Sequence, residues 1–303
     1  MGGTAGASMG GSGGAGGSGG SVQGPVKPVM RDGTGALDMG EVTLEVDPMV
    51  GGRIVTFKLG TENLLTGPAV NPTYYGSTLW ISPEVTWMQV PHINLQPYTA
   101  QASETSVALT LAADATEGVG ATKTFSADPA RGSFVIEYKL TNGKQTEIQA
   151  APWEVTRVFP RGLTFFPSVT TPTTSPDATI PITTSGGVVW YEYKMADVTK
   201  DSKLYADGTE GWVAHVAAGL VFIKVFADVT ADKVAPNEGD VELYTNAVHT
   251  YVELENQAAY GPIAAGQSVT WKVEWFLRRL PAAIQPTAGN AALAQFVRDT
   301  IKK

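Results

Sequence analysis

The chain has 303 residues, ample to bury a large core, and its formal charge of −8 argues against a nucleic-acid-coating surface, which needs clustered Lys and Arg. Charged residues make up 17% and hydrophobic ones 43%, too apolar for disorder, yet no run reaches the ~18 apolar residues of a membrane span. Cysteine is absent and only His92, His215 and His249 occur, which removes disulfide frameworks and cysteine nucleophiles and argues against imidazole-rich metal centres.

In chain order, residues 1–26 come first and read as a flexible tether. Gly2 to Gly20 holds only Gly, Ala, Ser, Thr and one Met, so it has nothing to bury. Two origins fit: a fusion linker, or the start of a mature exported bacterial protein. The stretch resembles the linkers that follow the lipid-modified Cys of bacterial lipoproteins, although no such Cys is present. The expectation is an exported protein of the periplasm or cell surface, with lipid anchorage through the tether. Residues 27–303 are expected to form one domain.

From Val42 onward, short runs rich in Val, Thr, Ile, Phe and Tyr recur between Gly, Pro, Asn and Asp. The pattern predicts strands at 42–46, 52–59, 98–101, 106–112, 121–126, 134–141, 145–158, 162–166, 188–193, 212–215, 220–226, 241–244, 250–255 and 268–277. Phe134, Ile136 and Tyr138 share a face, as do Val269, Trp271, Val273 and Trp275, and period-two alternation of this length means a strand with one buried side. A single helix is expected at the C-terminus, capped by Asn290 and striped by Leu293, Phe296, Val297 and Ile301. So many strands with so little helix exclude a parallel α/β sheet, leaving an all-β, large antiparallel sandwich. The Thr/Pro-rich segment 167–187 reads as a solvated connector or as a lid over a binding face.

Two stretches hold candidate chemistry. Tyr74 to Tyr98 gathers Trp80, Trp87, Glu84, Gln89 and His92, and its prolines at 83, 91 and 97 predict an extended loop rather than a central strand. Aromatic faces suit the C–H faces of a sugar ring while His, Glu and Gln bond its hydroxyls; the same aromatics would equally plug one end of a sandwich. The second stretch is 241–257, two strands flanking a turn at Asn246. On its second strand His249, Tyr251, Glu253 and Glu255 share one face, either a solvated surface or the lining of a polyol site. His215, in a strand-like apolar run, reads as a satisfied core residue.

The runs GGRIVTFKLGTENLL, YGSTLWISPEVTW, APWEVTRVFPRGLTFFP and VELYTNAVHTYVELENQAAYGPIAAGQSVTWKVEWFLRRLP resemble the galactose mutarotase-like superfamily, and more closely its DUF4380-type branch of bacterial secreted proteins. The resemblance covers residues 40–282 and implies an antiparallel super-sandwich. In mutarotases of this superfamily a Glu in a Leu-Glu-x-Gln-like strand is the base on the anomeric hydroxyl and a His is the acid on the ring oxygen. Leu254-Glu255-Asn256-Gln257 matches the first motif, which implies Glu255 as base with Glu253 as its competitor. The family's central His is replaced here by Pro152 or Trp153, so His92 is the candidate acid. Trp80, Trp87, Trp153, Arg157, Tyr251, Glu253 and Arg53 complete the substrate-binding set. The expected partner is a carbohydrate, with no metal and no cofactor. The expected function is sugar binding in a Trp/Tyr/Glu/His-lined cleft, the alternative being an aldose 1-epimerase using Glu255 and His92. Losing a general acid costs ~10²–10⁴-fold in rate, and mutarotation already proceeds in water, so binding is favoured over catalysis.

Overall fold

The computed structural model describes residues 1–2, 26–86, 90–114, 117–176, 178 and 180–302. Residues 3–25 of the expected tether, and Trp87 and Gln89 of the aromatic stretch, lie outside the described residues.

Runs of β-branched and aromatic residues make strands here because their stiff side chains pack on a pleated surface, and the Gly and Asn between them supply the tight turns. Among the described residues the strands form two antiparallel sheets of twelve and ten strands. The path of the larger runs Val29–Arg31, Thr34–Met39, Val42–Asp47, Arg53–Leu59, Ser77–Ser82, Ile148–Val158, Val252–Gln257, Val241–Thr245, Ser202–Ala206 and Thr173–Thr174. Five of these build the site described below: β1 (Ser77–Ser82), β2 (Ile148–Val158), β3 (Ser202–Ala206), β4 (Val241–Thr245) and β5 (Val252–Gln257), lying side by side in the order β1-β2-β5-β4-β3. The smaller sheet carries the two most regular alternating strands, Ser133–Asn142 and Ser268–Arg279, paired in unbroken register from Phe134↔Trp275 to Thr141↔Ser268. The expected faces hold: Phe134, Ile136, Tyr138, Val273 and Trp275 are buried.

The main core lies between the sheets, with Phe57, Phe222 and Trp275 in edge-to-face contact at its centre (centroids 4.8–5.2 Å apart). The helix α1 (Ala291–Ile301) seals a second apolar cluster around Phe165, Trp190, Trp212 and Phe276 with Leu293, Ala294 and Val297. Asn290 caps it as expected, its side chain accepting the Ala292 N–H at 3.0 Å.

Buried within the sandwich is an ion pair, Lys224 Nζ to Glu154 Oε2 at 2.9 Å, with both side chains 0% exposed. Lys224 also donates to Thr156 Oγ1 and the Leu254 carbonyl, while Tyr138 Oη and Trp275 Nε1 donate to Glu154. Each charge is thus met by further hydrogen bonds, the condition for carrying a pair into a low-dielectric interior. The pair ties β2 to the opposite sheet directly behind the candidate site.

Two expectations need correction. The segment 74–98 is not simply an extended loop: residues 77–82 form β1, a central strand between Arg53–Leu59 and β2. Its prolines all fall after the strand ends, so none interrupts a ladder. Pro152 does sit within β2, but its carbonyl accepts from Ala258 where β5 has ended and Gly261–Ile263 has not yet begun, so no partner needs its missing N–H. The segment 167–187 is more than a connector or lid. Thr173–Thr174 pairs with β3 and Thr183–Ser185 edges the smaller sheet, with Ile180 buried between.

Candidate functional site

In an antiparallel sheet, residues directly opposite one another project from the same face. Register therefore sets out three rows on the outer side of the larger sheet. Across β1, β2 and β5 run Trp80, Trp153 and Gln257; the next row is Thr78, Val155, Glu255, Glu242 and Tyr205; the third is Arg157, Glu253, Tyr244 and Lys203. The opposite face of the same strands supplies core, for example Leu79, Leu243, Leu254 and Leu204. These strands are buried on both sides, which is why their sequences lack clean alternation.

A pocket of about 400 Å³ opens over these rows, within the usual range for small-molecule sites. Trp80, Trp153, Arg157, Tyr251, Glu253 and Glu255 line it, as does Val155. Tyr74 and Glu84 complete one side; Ser175, Asp201, Ser202, Lys203 and Tyr244 complete the other. Ser175 comes from the Thr/Pro-rich segment and is held by backbone pairing with Lys203.

Charge in the pocket is organised by two cations. Arg157 Nε lies 2.7 Å from Glu253 Oε1, and its guanidinium also donates to Thr78 Oγ1 and sits over the rings of Tyr74 and Tyr251. Lys203 Nζ lies 2.7 Å from Glu242 Oε2, 3.2 Å from Glu255 Oε2 and 3.6 Å from Glu84 Oε2, and 4.5 Å above the Trp153 ring. Trp80 packs against Trp153 with centroids 5.7 Å apart, its N–H turned to Thr78.

One ammonium shared by three carboxylates does not neutralise them. Glu255 is 1% exposed, and neither of its carboxylate oxygens has a hydrogen-bond partner among the described residues. Burial raises its proton affinity well above that of an ordinary carboxyl, Lys203 opposes the shift, and Glu242 and Glu253 add to it. Burial likewise pushes Glu242 up to about 8 and raises Glu253. For Lys203, burial favours the neutral form, but Glu242, Glu255 and Glu84 outweigh it and hold the ammonium charged.

The remaining predicted residues go elsewhere. His92 does not line the pocket: it lies on a single turn, His92–Asn94, where its Nδ1 is 3.4 Å from Asp114 Oδ2 and its backbone N–H donates to Glu117. Its turn comes after β1 has ended at Ser82, and it is not among the residues that line the pocket with Glu255. Arg53 is also absent from the lining; it is buried with its guanidinium 4.1 Å from the Tyr75 ring centroid, donating to the Thr73 carbonyl. Desolvation lowers its pKa to about 10. His249 does not share the face of Tyr251, Glu253 and Glu255, because it has φ +55° in the turn before β5 and meets Tyr193 Oη at 3.0 Å. His215 is a core residue, 2.9 Å from Thr164 Oγ1 and pushed down to about 3 by burial.

Lys203, Asp201, Ser202, Ser175 and Tyr244 have no place in the sequence-derived set. Residues 201–203 are a polar run leading into a five-residue strand, a weak signal, and only pairing with β4 carries Lys203 to the acidic strands.

The fold is that of galactose mutarotase-like proteins. A galactose mutarotase-like protein from Lactobacillus casei superposes with a TM-score of 0.59 at 8% identity, over 81% of this chain and 100% of that one. A galactose mutarotase related enzyme from Lactobacillus acidophilus gives 0.56 at 8% identity, over 83% and 99%. A TPR-domain containing protein from Parabacteroides distasonis gives 0.59 at 10% identity over 84% of this chain, which spans only 50% of that longer protein. Residues 96–278, more than half of the chain, match the family described as a domain of unknown function, DUF4380, and the chain belongs to that family. No curated protein matches it in sequence.

Proposed function

We propose that the protein binds a carbohydrate, a monosaccharide or the end of a glycan, in the pocket over β1, β2, β5, β4 and β3. The observation that carries this reading is the lining itself. Two indoles and three phenols supply flat apolar surface for a pyranose face, beside carboxylates, a guanidinium and an ammonium suited to hydroxyls. The volume suits a ligand of that size, and the shared fold is compatible with it.

Binding is favoured over epimerisation because ring opening needs two proton carriers on opposite sides of the sugar. Glu255 is one candidate. Glu253 shares its strand and face and is paired with Arg157, no histidine is found among the described lining residues, and Lys203 is held too firmly protonated to give up a proton near neutral pH. Export on a Gly/Ser/Ala tether, with lipid anchorage, belongs to the same proposal and rests on the composition of residues 1–26; fractionation of the native host tests it, and a cytoplasmic location ends it.

Titration calorimetry against a panel of hexoses, hexosamines and uronates tests the binding. Trp80→Ala should weaken the ligand found by about tenfold, the order of one aromatic platform, while leaving most of the stability. Absence of any saccharide ligand overturns the reading.

A further inference from the structure

We infer that the pocket is built for a sugar carrying a protonated amine. This rests on the carbohydrate reading above and names the class of sugar. Among the described residues, Glu84, Asp201, Glu253 and Glu255 line the pocket, against only Arg157 and Lys203 as fixed cations. Arg157 is committed to Glu253, and Lys203 is divided among Glu242, Glu255 and Glu84. Acidic groups therefore outnumber cationic ones in the lining, and Glu255 is the acid least supplied with partners.

Glu255 is where a ligand is missing. Its side chain is 1% exposed and lines the pocket; among the described residues its Oε2 has only the 3.2 Å approach of Lys203, and its Oε1 has no hydrogen-bond partner. A buried carboxylate oxygen left in that state is costly, and a donor from the ligand relieves it. An ammonium does so best, because it brings the positive charge as well as the hydrogen bond. Among the described residues no group of three His, Cys, Asp or Glu is placed to hold a metal ion, so a divalent cation is the poorer match. The walls agree, since Trp80 presents its ring to the same space and indole faces attract cations. A uronate, by contrast, would set its own carboxylate against four others.

The test is a comparison within one panel: hexosamines, their N-acetyl counterparts, the parent hexoses, the uronates and a simple alkylamine, titrated at a pH below the amine pKa. A charge-assisted hydrogen bond in a desolvated site predicts at least about tenfold tighter binding of a hexosamine than of its N-acetyl or parent form. Glu255→Gln should erase that ratio. Glu84→Gln, at the exposed rim and harmless to folding, should reduce it. Parent hexose and hexosamine within twofold of each other, or a uronate binding best, overturns the amine preference and leaves the carbohydrate reading standing. An alkylamine binding as tightly as the hexosamine overturns the sugar class, and silence from the whole panel removes the carbohydrate reading itself.

Discussion

Truncating Lys203 to Met removes an ammonium that lies within 3.6 Å of Glu242, Glu255 and Glu84. Glu242 and Glu255 are 0% and 1% exposed, so neither can turn to water for compensation. In the variant each charge must be borne unpaired or neutralised by a proton. Glu242, at about 8, and Glu255 already hold protons more tightly than ordinary carboxyls, and losing Lys203 raises that affinity further. Each further unit of upward shift is worth about 1.4 kcal/mol to the protonated form. Breaking a buried pair by removing one partner typically costs ~3–5 kcal/mol.

The sign is equally definite. Above pH 4.5 the folded variant binds protons that the unfolded chain has released, so its stability falls as pH rises. Glu242, at about 8, gives the wild type the same fall, so the ~3–5 kcal/mol defect should be nearly constant from pH 4.5 to 7.5 and widen above pH 8. Urea denaturation followed by tryptophan fluorescence at pH 6, 7.5 and 9 measures it. Lys203→Arg, which keeps the charge, should retain most of the stability at every pH. A Met variant whose defect does not grow between pH 7.5 and 9, or one more stable than wild type at pH 7.5, would refute the account of a cation-starved carboxylate cluster.

Lys224→Met should destabilise by ~3–5 kcal/mol at neutral pH, because it leaves the fully buried Glu154 without its counter-ion; calorimetric melting reads this directly. Lys123, buried with its ammonium 2.6 Å from the Gly51 carbonyl, is pushed down to about 7 by desolvation. Between pH 7 and 10.5 the unfolded chain holds that proton and the folded chain does not, so stability should rise with pH by up to about 1.4 kcal/mol per unit. Lys123→Met should flatten this limb of the profile, and an unaltered slope would show that another group is responsible. Gly76 precedes β1 at φ +61°, where a Cβ would overlap the Ile54 carbonyl, and its own carbonyl accepts the Arg157 amide. Gly76→Ala should therefore cost more than about 2 kcal/mol in denaturant unfolding and weaken the pocket ligand together with stability.

Local chemistry is legible in the chain by itself. Alternation at Phe134–Tyr138 and Val269–Trp275, the capping Asn290, the absence of crossover helices and the Leu254–Gln257 motif depend on neighbours within a few residues. They determine an antiparallel β protein with one terminal helix and place Glu253 and Glu255 side by side in the candidate site. Register and the path of the chain between strands are different in kind. The strand β1 hides behind prolines that turn out to follow it, and β2 to β5 are buried on both faces, so period-two patterning fades where the pocket is made. His92 is twelve residues from Trp80 and parts from it at the strand end; Lys203 is fifty-two residues from Glu255 and meets it across β4. Which side chains share a hollow is decided by pairing between distant strands, whose energy comes from burying both faces at once, and no window of sequence contains both partners.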